Sequence, residues 1–244
     1  MFSYSFSFYL LIDLFFIYSV IGYITEIMSI YRFTHKVILS RGYLIGPYLP
    51  IFGLGSILMI TLLEPYKNDL FVLFVMSLVI CCLLEYFTSL LMEKIFKLRW
   101  WDYSEKMFNI NGRVCLENGV MFGFGGVIIV KCVNPFLLQG LMSLPATVVV
   151  ISGMVVSCIM IADFIVSTYT ILQLKVDLSA FKEKDSTVRI KKEIIDSILK
   201  YQFFHRRLFK AFPNITGNKY VVEFEKMSKK REKRLKRKEE KDKK

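Results

Sequence analysis

Five stretches of this chain are apolar for long enough to cross a lipid bilayer, which excludes most of what 244 residues could otherwise become. They run from about Phe6 to Ile30, Tyr43 to Leu63, Leu70 to Phe96, Asn118 to Leu138 and Leu144 to Leu174. About 20 apolar residues of helix cross the roughly 30 Å of hydrocarbon in a bilayer. A composition of 54% hydrophobic residues, with a mean hydropathy of +0.45, is too apolar for a soluble domain of this size. The expected fold is all-α: a polytopic integral membrane protein of about five transmembrane helices, with residues 1–174 as the membrane domain. The first apolar run has no basic n-region and no small-residue cleavage site after it, so it reads as a retained first span.

The formal charge of +12 sits entirely in the tail. From Met1 to Leu174 there are ten Lys/Arg and ten Asp/Glu; from Lys175 to Lys244 there are 23 and 11. Basic residues in short loops set orientation. Arg32, Lys36 and Arg41 follow the first span, and Lys94, Lys97, Arg99, Lys106 and Arg113 flank or follow the end of the third. The opposite side has only Lys67. The N-terminus is therefore expected outside and the C-terminus in the cytoplasm.

Residues 175–214 alternate charges with Ile190, Ile194, Ile198, Tyr201 and Leu208 at helical spacing, the pattern of a cytoplasmic amphipathic helix. Residues 215–244 form a basic tail that cannot bury a core, so a disordered segment or a single solvated helix is expected. Its expected partner is anionic lipid. Nucleic acid is not expected, because no aromatics interleave with the basic residues after Phe224.

Pro47 and Pro50 sit at the start of the second span, so that helix is expected to be kinked or to begin late. Gly119, Gly123, Gly125 and Gly126 give the fourth span a smooth face for backbone-to-backbone packing. The GFGG there follows no strand, and the chain has no GxxxxGK[ST], so no P-loop is present. Cys81, Cys82, Cys115, Cys132 and Cys158 form no CxxC, and His35 and His205 have no ligand-spaced partner. No metal and no cofactor are expected.

Ionisable groups inside a span ask for a partner or a role. Glu85, Ser89 and Glu93 recur every four residues along one stripe of the third span. The two carboxylates lie about 12 Å apart along the axis, too far to share a proton, so each is expected to pair with a different arginine. A polar cluster of the inner leaflet is expected from Glu26, Arg41, Glu85, Glu93, Arg99, Asp102, Asn109, Arg113 and Asn118. Trp100, Trp101 and Tyr103 read equally as an interfacial aromatic belt. Lys131 and Asp163 read as an interhelical pair or as snorkelling groups.

Four runs carry a resemblance: SRGYLIGPYLPIFGLGS (Ser40–Ser56), LEYFTSLLMEKIF (Leu84–Phe96), RWWDYSEKMFNINGRVCLENGVMFG (Arg99–Gly123) and HRRLFKAFPN (His205–Asn214). Together they resemble the ABC-transporter permease family of the CmpB type, to which the animal transmembrane protein 229 group is similar. The WWDYS with NxxGR combination is its most specific part, and the resemblance covers most of Phe15–Asn214. Ser40 stands where the family usually has Asn, and Val120–Phe122 replace a stretch that often ends in Trp. The resemblance implies a multi-pass protein of the cell membrane and a permease role. It supplies no catalytic residues.

Three functions stay open. The first is a permease-like subunit working with a separate ATPase or an ion gradient. The second is an intramembrane enzyme on a lipid headgroup or lipid-linked substrate, with Glu85 or Glu93 as acid/base and Arg41 and Arg113 clamping phosphate. The third is a scaffold with a lipid-binding tail. No recognised catalytic constellation is present, which argues against the enzyme.

Overall fold

A computed structural model describes residues 2–34, 42–96 and 99–183. Its helices are α1 (Phe2–Thr34), α2 (Pro50–Leu62), α3 (Leu70–Phe96), α4 (Leu116–Ile128), α5 (Asn134–Met142) and α6 (Ala146–Glu183). Four helical stretches are long and apolar enough to cross a membrane: Ser7–Ser29, Leu70–Phe96, Leu116–Met142 and Ala146–Leu172. The protein is a helical membrane protein, and no strand is formed among the described residues. α6 continues past the expected end of its span at Leu174 to Glu183; the rest of the amphipathic segment and the basic tail lie outside the described residues.

The helix α3 organises the bundle because its inward face is small and polar while its outward face is large and apolar. Leu73, Ser77, Cys81, Glu85 and Ser89 are buried at a spacing of four, whereas Leu83, Phe87 and Leu91 are exposed. This is the pattern of a helix with lipid outside, where close backbone packing replaces the hydrophobic drive of water. The partner face on α4 is Gly119, Gly123 and Gly126. A Cβ on Gly126 would collide with the Ser77 hydroxyl and the Met59 sulfur, and one on Gly123 would enter the Phe74 ring. Gly125, on the other side of the helix, faces open space.

α4 and α5 form one rod, joined by a π-helical turn over Ile129–Val133. Pro135 has no N–H to return to Lys131, and the wider turn lets the Asn134 N–H bond to the Ile129 carbonyl instead. Asn134 is buried there and accepts from the Tyr18 hydroxyl of α1 at 3.2 Å.

The second apolar run becomes a helix only from Pro50. At 1.5 Å per residue its 13 residues cover about 20 Å, less than the hydrocarbon thickness. Leu49 takes an extended conformation (φ −119°, ψ 99°), as expected of a residue preceding proline. The segment 42–49 is therefore non-helical, and its N–H groups need acceptors from elsewhere.

Asp163 of α6 provides them. Its carboxylate accepts the Ile45 and Gly46 N–H groups at 2.8 Å each, the Tyr48 hydroxyl at 2.6 Å and the Ser167 hydroxyl at 2.9 Å. The Leu49 N–H goes to the Ser19 carbonyl at 2.9 Å. Asp163 is thus committed to the backbone of segment 42–49 rather than to Lys131, which is exposed. Asp13 is also buried, and its partner is the Ser152 hydroxyl at 2.6 Å. These contacts run α1 and α6 in the same direction, toward the end of the bundle where Tyr43 meets Phe96, Trp100 and Phe164.

Two outcomes test this packing in purified protein. Gly126→Val should destabilise the fold by about 1–3 kcal/mol through overpacking, read as a lower melting temperature in detergent, while Gly125→Ala leaves it unchanged. Asp163→Ala strands two N–H groups, each worth about 1–3 kcal/mol if buried and unsatisfied. It should lower the melting temperature well below that of Lys131→Gln, which should match the unmodified chain.

Candidate functional site

The chain leaving α3 does not project off the end of the bundle; it doubles back along the last three turns of the same helix. Side chains tie the returning loop to itself. The Arg99 guanidinium pairs with Asp102 at 3.4 Å and donates to the Asn111 carbonyl. Asp102 accepts the Ser104 N–H at 3.0 Å, an Asx turn. The Asn109 amide is fully used: its oxygen accepts the Gly112 N–H at 3.0 Å, and its nitrogen donates to the carbonyls of Ser104 and Lys106 at 3.2 and 2.8 Å.

The reversal itself is a type I′ turn. Asn111 and Gly112 both have positive φ (52° and 65°), and the Arg113 N–H bonds back to the Ile110 carbonyl at 3.0 Å. Asn-Gly is the dipeptide that this turn favours. It was the readable signal for a hairpin in this loop, with Ile110 and Val114 bridged across it.

The turn delivers Arg113 to α3. Its guanidinium meets Glu93 at 2.8 Å, donates to the Ser89 hydroxyl at 3.2 Å and lies over the Tyr86 ring at 5.8 Å. Asn111 donates to the Tyr86 hydroxyl at 3.0 Å, and the Trp101 indole N–H donates to the Arg113 carbonyl at 2.9 Å. A cation so placed is held by charge, hydrogen bonding and the ring face together.

Deeper along α3 lies a second group. The Tyr103 hydroxyl donates to Glu85 Oε1 at 3.2 Å. Glu85 is only 7% exposed, and its Oε2 has no hydrogen-bond partner of ordinary geometry among the described residues. The Asn118 amide is within reach of both Glu85 and Tyr103, and the Glu26 carboxylate of α1 acts on both electrostatically. Burial, then the neighbouring Glu85 charge, push the Tyr103 phenol above its ordinary value, so it stays a hydrogen donor.

The expected cluster is thus divided in two. Glu93, Arg113, Arg99, Asp102 and Asn109 belong to the upper network of ion pairs and loop hydrogen bonds; Glu85 and Asn118 belong to the deeper one, with Glu26 near enough to act on it electrostatically. Arg41 lies outside the described residues. The expectation of one arginine per glutamate meets Arg113 at Glu93 but a tyrosine at Glu85, because the turn brings Tyr103 rather than Arg99 down to that depth. The aromatics are each tied into the protein. Trp100 is buried against Phe96 and Tyr43, Trp101 holds the turn, and Tyr103 reaches Glu85. Tyr86 and Ser89 complete the site, and spacing alone singled out only Ser89. Among the described residues no group of His, Cys, Asp and Glu is placed to hold a metal.

A family model described as "Putative ABC-transporter type IV" matches residues 13–168. The chain belongs to this family. The match takes in every described site residue from Glu26 to Asn118, so the type IV family's shared region contains both polar networks. It ends before the basic tail. No curated protein and no solved structure matches the chain.

Arg113 holds the upper network through three different contacts, and this sets an order of effects. Arg113→Ala should lower the melting temperature more than Glu93→Gln, since Glu93 is half-exposed and its loss leaves the Ser89 and Tyr86 contacts in place. Arg113→Lys should recover little, because an ammonium does not reproduce the planar stack and fork.

Proposed function

We propose that this chain is a permease-like subunit of a transporter in the cell membrane, with the polar group around Glu85 as its substrate or coupling site at the cytoplasmic leaflet. Membership of a transporter family and the four bilayer-length helices support the transporter-like class. The observation that carries the site is Glu85: a carboxylate in the middle of a membrane-length helix, more than nine-tenths buried, that meets no cation among the described residues and has the Tyr103 hydroxyl and the Asn118 amide beside it. Such groups are costly in a bilayer and mark pathways and relays. The surplus of Lys and Arg in the loops at the Glu85 end supports a cytoplasmic placement.

The chain has no nucleotide motif, so energy comes from a separate ATPase or an ion gradient. The basic segment 215–244 supplies an attachment to anionic lipid at the same face. The lipid-headgroup enzyme is less well supported: Arg113, its proposed phosphate clamp, already pairs with Glu93 and stacks on Tyr86.

The test is purification of the tagged full chain from its own membranes in mild detergent. An ATPase should accompany it, with turnover that depends on the chain. Glu85→Gln should keep the complex and lose the stimulation. Recovery of the chain always alone together with no flux in liposomes, or turnover unchanged by Glu85→Gln, would overturn the reading.

A further inference from the structure

The loop between α3 and α4 is two-sided. Its inner side chains, Arg99, Asp102, Tyr103, Asn109, Asn111 and Arg113, are all engaged with α3 or with the loop itself. On its outer side Met107 is 79% exposed, Phe108 74% and Ile110 59%. Phe108 also holds φ at +51°, a conformation rarely taken by a bulky side chain. Three apolar groups thus point away from the loop's engaged polar groups, with the exposed Glu105 and Lys106 beside them.

The depth of this tip can be bounded. It is bracketed by Asn111, bonded to Tyr86, and by Lys106, paired at 2.8 Å with Glu117 in the first turn of α4. Tyr86 stands ten residues before the end of α3 at Phe96, about 15 Å along the axis. The 27 residues of α3 measure about 40 Å, roughly 10 Å more than the hydrocarbon. With that surplus at the loop end, the level of Tyr86 comes within about 5 Å of the hydrocarbon edge, and the exposed Lys106–Glu117 pair keeps the tip on the headgroup side of that level. The neighbours at this level are the exposed apolar residues of the spans themselves: Phe87 and Leu91 on α3, Leu116 and Met121 on α4. The outer side of the loop continues that surface.

We infer that residues 107–110 are a re-entrant lipid-contacting tip, with Met107, Phe108 and Ile110 seated at the boundary of the headgroups and acyl chains. The occupant is lipid rather than water, because exposing three apolar side chains to water gains nothing while burial in the boundary region recovers the transfer free energy of each. The Lys106–Glu117 pair is compatible with that position: its charges are matched, and the lysine stem can carry its ammonium toward the headgroups. Non-helical backbone is allowed at this boundary, where headgroups and water reach polar groups that the hydrocarbon could not satisfy.

The experiment uses the full chain in phosphatidylcholine–phosphatidylglycerol vesicles, with exposed Cys132 and Cys158 replaced by serine. A nitroxide is attached in turn at Met107→Cys, Phe108→Cys and Ile110→Cys, with Lys67→Cys in the opposite turn as the aqueous reference. Collision rates are measured with oxygen, which partitions into lipid, and with a water-soluble nickel chelate. The inference requires a ratio of oxygen to nickel rates several-fold higher at the three tip positions than at Lys67. A tip ratio equal to that at Lys67 means an aqueous loop and overturns it. Low rates with both reagents mean that protein covers the tip, and overturn it equally. Three positions keep the result readable if one variant misfolds.

Discussion

A peptide group that leaves a helix must find another hydrogen-bond partner, and two stretches of this chain find theirs largely in side chains. Segment 42–49 does so through the carboxylate of Asp163, which takes two N–H groups and a tyrosine hydroxyl. The loop 99–115 does so through Asp102, Asn109 and Arg99, which act as portable acceptors and donors for a backbone that has left the helix. Once those partners are in place, α2 can be short and the chain after α3 can fold back. The end of the bundle is then covered by a folded loop in place of a bare set of helix ends.

The two polar networks also depend on how closely the helices approach. The spacing-of-four stripe on α3 and the glycines of α4 bring the two backbones together and leave room on the same stripe for Glu85 and Ser89. Packing and polarity are therefore not separate features of α3. The residues that are small enough to permit close contact near its middle give way, one and two turns later, to the residues that bind the loop.

Much of this was legible. Length and hydropathy find the membrane helices with useful accuracy: α3 coincides with the expected Leu70–Phe96. The glycine face and the late start of the second helix follow from the local chemistry of Gly and Pro. Asp163 was harder to place. A lone acid in an apolar run invites a search for a basic partner such as Lys131, whereas its true partners are main-chain N–H groups, which every residue but proline offers and no pattern marks. Tyr103 was hidden differently. Beside two tryptophans it looks like part of an interfacial belt, and only the Asn111–Gly112 turn, one residue before Arg113, sends it to Glu85.

By itself the sequence determined the class of protein, its all-helical nature, the packing face of the fourth span apart from Gly125, and the polar character of the loop after the third. These rest on hydropathy and on residue chemistry, which act locally and can be read one residue at a time. The tertiary structure alone decided which acids meet which partners. It separated Glu93 with Arg113 from Glu85 with Tyr103, and gave Asp163 to the backbone. Such pairings depend on where two reversals of the chain leave side chains far apart in sequence, and that is a property of the assembled bundle.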